Sequence, residues 1–147
     1  MQSNGQTINL KKVDCTWPRG LLHKMRFHFT QGFSSMLVGA DHLNVHKCYP
    51  NEDPDRIEST QINPNKRVNA LTVWTDRGKI TCLSLSQSGE EEDIALRNVE
   101  RLNMHARPHK VHIAPSLSII GFYGKIERGV ILQLGLLLWN PDTRALI

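Results

Sequence analysis

The stretch Ile119-Ile120-Gly121-Phe122-Tyr123-Gly124, followed by Gly129 and Leu132-Gln133-Leu134-Gly135, decides how this chain folds. It reads as a β-rich run over 119–123, a turn region over 124–129, and a longer apolar run over 130–139 that ends at Trp139. Two such runs separated by glycine and charged residues are a hairpin signal. Gln133 and Gly135 interrupt the second run, which falls well short of the ~20 apolar residues that cross a bilayer. It reads as a buried strand, and no other run is long enough for a membrane span.

Two upstream segments have the same form. Met25, Phe27 and Phe29 alternate with Arg26, His28 and Thr30, the period-two pattern of a strand with one buried face. Gln31-Gly32 supplies a turn, and Met36-Leu37-Val38 reads as the returning strand. Farther on, Val68, Leu71, Val73 and Trp74 lead through Asp76-Arg77-Gly78 to Ile80, Leu83 and Leu85. Segments 22–39, 67–86 and 117–139 are thus each strand, glycine-bearing turn, strand, which amounts to a faint threefold repeat. Hairpins with one apolar face each need a shared core, and packing their sheets inward limits exposed edges. The expectation is all-β: one domain over residues 1–147, with a β-sandwich as the alternative to a three-sheet arrangement.

The connecting segments are less regular. Residues 1–12 are polar and read as a loose arm or a first edge strand. Residues 41–66 carry Pro50, Pro54 and Pro64 with Glu52, Asp53, Asp55 and Glu58, so they read as loops with an edge strand near 57–62. In 91–104, Ala95, Val99 and Leu102 fall at helical spacing, with acids first and Arg97 and Arg101 later. A short helix and a twisted strand followed by a loop both fit that window.

An apolar fraction of 39% and a charged fraction of 22% are ordinary for a globular chain. The net charge of +4 is dispersed, whereas a nucleic-acid binder concentrates it on one stripe. Arg97, Arg101, Arg107 and Lys110 form the basic exception, with acids at 90–93 directly before them, and nucleic acid is not the expected partner. Cys15, Cys48 and Cys82 have no close pairing, so reduced thiols are expected rather than a metal or disulfide framework. Met1–Asn9 has no apolar centre, which makes a cytoplasmic chain the default; a mature secreted chain without its signal would look the same.

His105, His109 and His112 cluster, but Arg107 and Lys110 lie among them and disfavour a dication. A solvated loop is the expectation there, and Glu52, Asp53 and Asp55 lack the EF-hand spacing. The sequence holds no Gly-x-Ser-x-Gly elbow, phosphate-binding glycine loop or His-Glu-x-x-His. No enzyme activity, metal or cofactor is expected.

The Gly121-Phe122-Tyr123-Gly124 motif with Gly129 and Leu132-Gln133-Leu134-Gly135 resembles the closing motif of jacalin-like lectins. The block 67–85, with Leu71-Thr72-Val73-Trp74, resembles the family's preceding strand pair, and 20–39 resembles its first pair more loosely. The resemblance implies a β-prism of three antiparallel four-stranded sheets about a pseudo-threefold axis. It also implies a sugar site at one end, where the loop before the last strand offers backbone N–H groups and an Asp four residues after a Gly. The corresponding positions are Gly129, Val130, Ile131, Leu132 and Gln133. Gln133 stands in place of the Asp; it can donate and accept hydrogen bonds, but the lost charge assistance is worth about 1 kcal/mol.

What the resemblance implies, then, is a non-enzymatic carbohydrate-binding domain whose partner is a saccharide or the glycan of a glycoprotein. The alternative is a protein-interaction domain that keeps the prism, has lost the sugar, and uses the insertions 41–66 and 90–110. Which sugar is taken, and whether like chains assemble into a homo-oligomer, is not written in the sequence. Gly121 and Gly124 read first as packing and turn residues, and Trp74 and Trp139 as packing. Trp17 reads as a stacking candidate or a lid over the core.

Overall fold

The computed structural model describes residues 2–3, 6–7, 9–32, 34, 38–39, 57–96, 105–128, 130–140 and 145–146. These form antiparallel sheets with two short 3-10 turns. One four-stranded sheet has the order β5 (Val38–Gly39), β4 (Lys24–Phe29), β3 (Leu10–Thr16), β6 (Glu58–Gln61). A second has the order β10 (Arg107–His112), β7 (Val68–Asp76), β8 (Lys79–Gln87), β9 (Ile94–Ala95). The third, of three strands among the described residues, is β11 (Ser118–Glu127), β12 (Val130–Asn140), β13 (Ala145–Leu146). A small pair, β1 (Gln2–Ser3) with β2 (Gln6–Thr7), stands apart, so the amino-terminal arm is partly paired.

The alternation in β4 acts as expected. Met25, Phe27 and Phe29 are buried, while Lys24, Arg26 and His28 are half-buried on the other face. Their apolar side meets that of the other two sheets in one core, where the Phe27 ring lies 4.8 Å from that of Phe122. Along β12, Leu134, Leu136 and Leu138 pack on the same core. The expected edge strand near 57–62 is β6, paired with β3.

The hairpin expected over 22–39 is present as β4 paired with β5, and a longer one, β3–β4, closed by a turn at 17–23, precedes it. Of the returning strand expected at 36–38, Met36 and Leu37 lie outside the described residues, and Val38 pairs with Met25. β3 is hard to see in sequence because a register shift between Leu10 and Lys12 breaks its period of two. Of the two readings open for 91–104, the described part fits the strand, as β9, and holds no helix; 97–104 lies outside the described residues.

One end of the assembly is knotted by equivalent residues of the three hairpins. The Leu22 N–H donates to the Ile80 carbonyl at 3.3 Å, and the Leu22 carbonyl accepts from Ile131 N–H at 2.8 Å. Leu22 precedes β4, Ile80 is second in β8, and Ile131 is second in β12. Each is 3% exposed or less, so three apolar side chains plug the end at which the hairpin turns gather. This is the pseudo-threefold repeat made physical.

Candidate functional site

The turn end is the place to look, because turns 17–23, 76–79 and 127–130 meet there and loops on a rigid scaffold carry function. Of the expected site residues, Gly129 lies outside the described residues. Val130, Ile131, Leu132 and Gln133 lie within strand β12 rather than in a free loop. Val130 pairs with Glu127, Ile131 with Ile126 and Gln133 with Lys125. Ile131 faces the core at 3% exposure, and its N–H is already given to Leu22, so it has no donor left for a ligand. Val130 and Leu132 are half-buried, and Gln133 is exposed. The chemistry of this segment therefore rests on the Gln133 side chain.

Gln133 has neighbours that sequence reading missed. Across the β11–β12 ladder, Lys125 stands opposite Gln133 and Tyr123 opposite Gly135. Lys125 is exposed, and Tyr123 is 62% exposed. The Tyr123 ring covers Gly135 so closely that a Cβ built there would stand 2.5 Å from Tyr123 Cζ. Gly124 makes a different close approach, because a Cβ at that position would stand 1.9 Å from the Gln133 carbonyl oxygen. The two glycines thus let β11 and β12 close up and let the outer end of an aromatic ring come down onto the sheet at Gly135. The result is an outward patch of one ring, one amide and one ammonium beside the hairpin turn. The available signal is the Gly-Phe-Tyr-Gly motif, in which Gly124 reads first as a packing and turn residue.

Other candidates resolve differently. Trp17 is buried and donates its Nε1–H to the Leu96 carbonyl at 3.1 Å, so it belongs to the core. Trp74 and Trp139 are half-buried in β7 and β12. His105, His109 and His112 are exposed, and His109 Nε2 lies 3.2 Å from Thr75 Oγ1. His109 and His112 sit on β10, which pairs along its length with β7 and is not the solvated loop expected for this tract. Among the described residues no three His, Cys, Asp or Glu side chains gather as a metal site would require. Glu52, Asp53 and Asp55 lie outside the described residues, as do Cys48, Arg97 and Arg101.

Asp14, His28 and Ser59 do meet, on adjacent strands β4, β3 and β6. His28 Nε2 and Ser59 Oγ each lie 2.6 Å from an oxygen of the Asp14 carboxylate. Burial pushes this carboxyl upward, but the Ser59 and His28 hydrogen bonds and the nearby positive charge outweigh it, so Asp14 titrates below the ordinary carboxylate value. The order is Ser–Asp–His. The hydroxyl is spent on the carboxylate instead of facing an imidazole base, which is not the geometry of an activated nucleophile. The cluster ties three strands together.

No family model and no curated protein sequence matches this chain. Solved structures do. A prostate-specific WGA16 glycoprotein lectin is similar with a TM-score of 0.62 at 12% identity, covering 96% of each chain. A mannose-binding jacalin-related lectin from Ananas comosus gives 0.55 at 14% identity, over 94% of this chain and 87% of its own. The agglutinin of Calystegia sepium gives 0.59 at 11% identity, over 95% and 93%. At such identities the likeness is one of fold, and the fold is the jacalin-type β-prism.

Proposed function

We propose that this chain is a non-enzymatic carbohydrate-binding domain that engages its saccharide with the outward patch of the β11–β12 hairpin. The observation that carries this reading is the exposed Tyr123 ring, packed against Gly135 beside Gln133 and Lys125. An aromatic face packs against the C–H face of a pyranose, and its burial supplies the apolar part of binding. The Gln133 amide donates and accepts, and the Lys125 ammonium donates, which suits neighbouring sugar hydroxyls. Gln133 remains the polar centre expected from the sequence; Val130, Ile131 and Leu132 then shape the strand that carries it. The fold supports the reading, because similar prisms include a mannose-binding lectin and a lectin complexed with a biantennary N-glycan. A mannose-bearing glycan is therefore the first probe.

The test is a glycan array at low and moderate salt. Retention of some saccharide, reduced roughly fivefold or more by Gln133→Ala or Tyr123→Ala, is expected from the loss of about 1 kcal/mol per contact. A folded protein that ignores every glycan counts against the proposal.

The second reading is a prism that has lost sugar binding and docks a protein. It is favoured by β10, whose six residues are all exposed, Val111 included at 47%. A pull-down that depends on residues 90–110 and is not competed by free mannose would favour this reading over the first.

A further inference from the structure

The strands of the three hairpins begin at the end opposite the turns, and that end is open. A cleft of about 270 Å³ lies there, lined by Asn9 and Leu10 at the start of β3, Arg67 and Val68 at the start of β7, and Ser118 and Ile119 at the start of β11. Pro64, Lys66 and Leu117 complete its principal walls. Its volume lies just below the roughly 300–1,000 Å³ of drug-sized ligand sites, so its occupant has about the bulk of a monosaccharide.

The walls are held before any ligand arrives. Asn9 Nδ2 donates to the Pro64 carbonyl at 3.0 Å, fixing β3 to the turn at 63–66. Gln87, itself 3% exposed, donates from Nε2 to the carbonyls of Asn63 and Lys66 at 2.8 and 3.0 Å. Lys66 Nζ is already paired with Glu90. Arg67 differs: its Nη2 donates to the Ile113 carbonyl, its Nε is buried without a hydrogen-bond partner, and no carboxylate faces it among the described residues. The buried Nε is sealed from the cleft, but the guanidinium charge beside it makes no ion pair among the described residues, and an anion in the cleft would stabilise that charge. One positive charge with no ion pair among the described residues matches a monoanion, and the guanidinium N–H groups left over from Ile113 can donate to a carboxylate.

We propose that this cleft is a second binding site, for a small carboxylate of monosaccharide size, with Arg67 holding the carboxylate and Ser118 and Asn9 Oδ1 meeting its hydroxyls. It lies at the other end of the strands from the Tyr123–Gln133 patch and does not depend on the sugar reading of that patch.

Isothermal titration of the whole chain with glucuronate, glucose and inorganic phosphate tests it, since the first two differ at one carboxylate. Saturable glucuronate binding is expected, at least tenfold tighter than glucose, weakened at least tenfold by Arg67→Gln and unchanged by Gln133→Ala. Absent heat, equal binding of glucose, preference for phosphate, or glucuronate affinity that survives Arg67→Gln would overturn it. If circular dichroism shows that Arg67→Gln does not fold, Ser118→Trp decides by filling the cleft: lost binding supports the site, and retained binding rejects it.

Discussion

The ring of Tyr123 lies on Gly135, and the glycine has no room for a methyl group beneath it, since a built Cβ would stand 2.5 Å from Tyr123 Cζ and 2.7 Å from its hydroxyl oxygen. The obstructing atoms are the far end of an exposed side chain. Gly135→Ala is therefore expected to cost little stability, about 1 kcal/mol or less, because the ring can swing aside. Glycan retention should fall with it. Thermal melting beside the array measures both effects, and unchanged retention would remove the ring from the site.

Gly124 should behave in the opposite way. Its added Cβ would meet the Gln133 carbonyl oxygen at 1.9 Å, and backbone cannot step aside. Gly124→Ala is expected to destabilise by about 3 kcal/mol, the upper part of the usual overpacking range. A chemical-denaturation curve close to that of the parent would show that the two strands do not approach as described.

Leu22 closes the turn end with its backbone and plugs it with its side chain. Leu22→Ala leaves both hydrogen bonds possible and empties the plug, so a loss of about 2–5 kcal/mol is expected. For a domain of this size that corresponds to a fall in melting temperature of roughly 5–15 °C.

Asp14 makes stability depend on acid. Its carboxyl is held below the ordinary value of 3.8, so its contribution is complete above that value and fades as pH falls through the lower folded value. Asp14→Asn should cost about 1–2 kcal/mol at neutral pH. The gap between parent and variant melting temperatures should then close in strong acid. A gap that stays constant from pH 7 to pH 2 would contradict the Ser59 and His28 contacts.

The thiols give a chemical check on burial. Burial, then the carboxylates of Asp14 and Glu58, push the Cys15 thiol up, so almost no thiolate forms at neutral pH. Cys82 is fully buried. Iodoacetamide followed by peptide mass mapping should leave both unmodified in the native chain and label both in denaturant. Fast native labelling of Cys15 would show that β3 is not covered.

Legibility in the sequence followed apolar periodicity. β4, β7, β8 and β12 announced themselves because each lays a regular row of large side chains on the core. β3 did not, because a register shift between Leu10 and Lys12 breaks the alternation at its start. β10 did not either: with all six residues exposed it has no apolar row to show. The candidate patch was half visible. Gln133 follows from its offset from Gly129, whereas Tyr123 and Lys125 join it only through cross-strand register, which a linear reading does not contain. The cleft at Arg67 gathers the starts of three strands far apart in the chain, and no local motif marks it.

The most direct test of the central claim is an amide-resolved NMR titration of the ¹⁵N-labelled chain with methyl α-mannoside, followed by a mannose-bearing oligosaccharide. Saturable shifts are expected to concentrate on Tyr123, Gly124, Lys125, Gln133 and Gly135 and to disappear in Tyr123→Ala. Shifts confined to other faces of the prism, or a spectrum unmoved at saturating sugar, would contradict it.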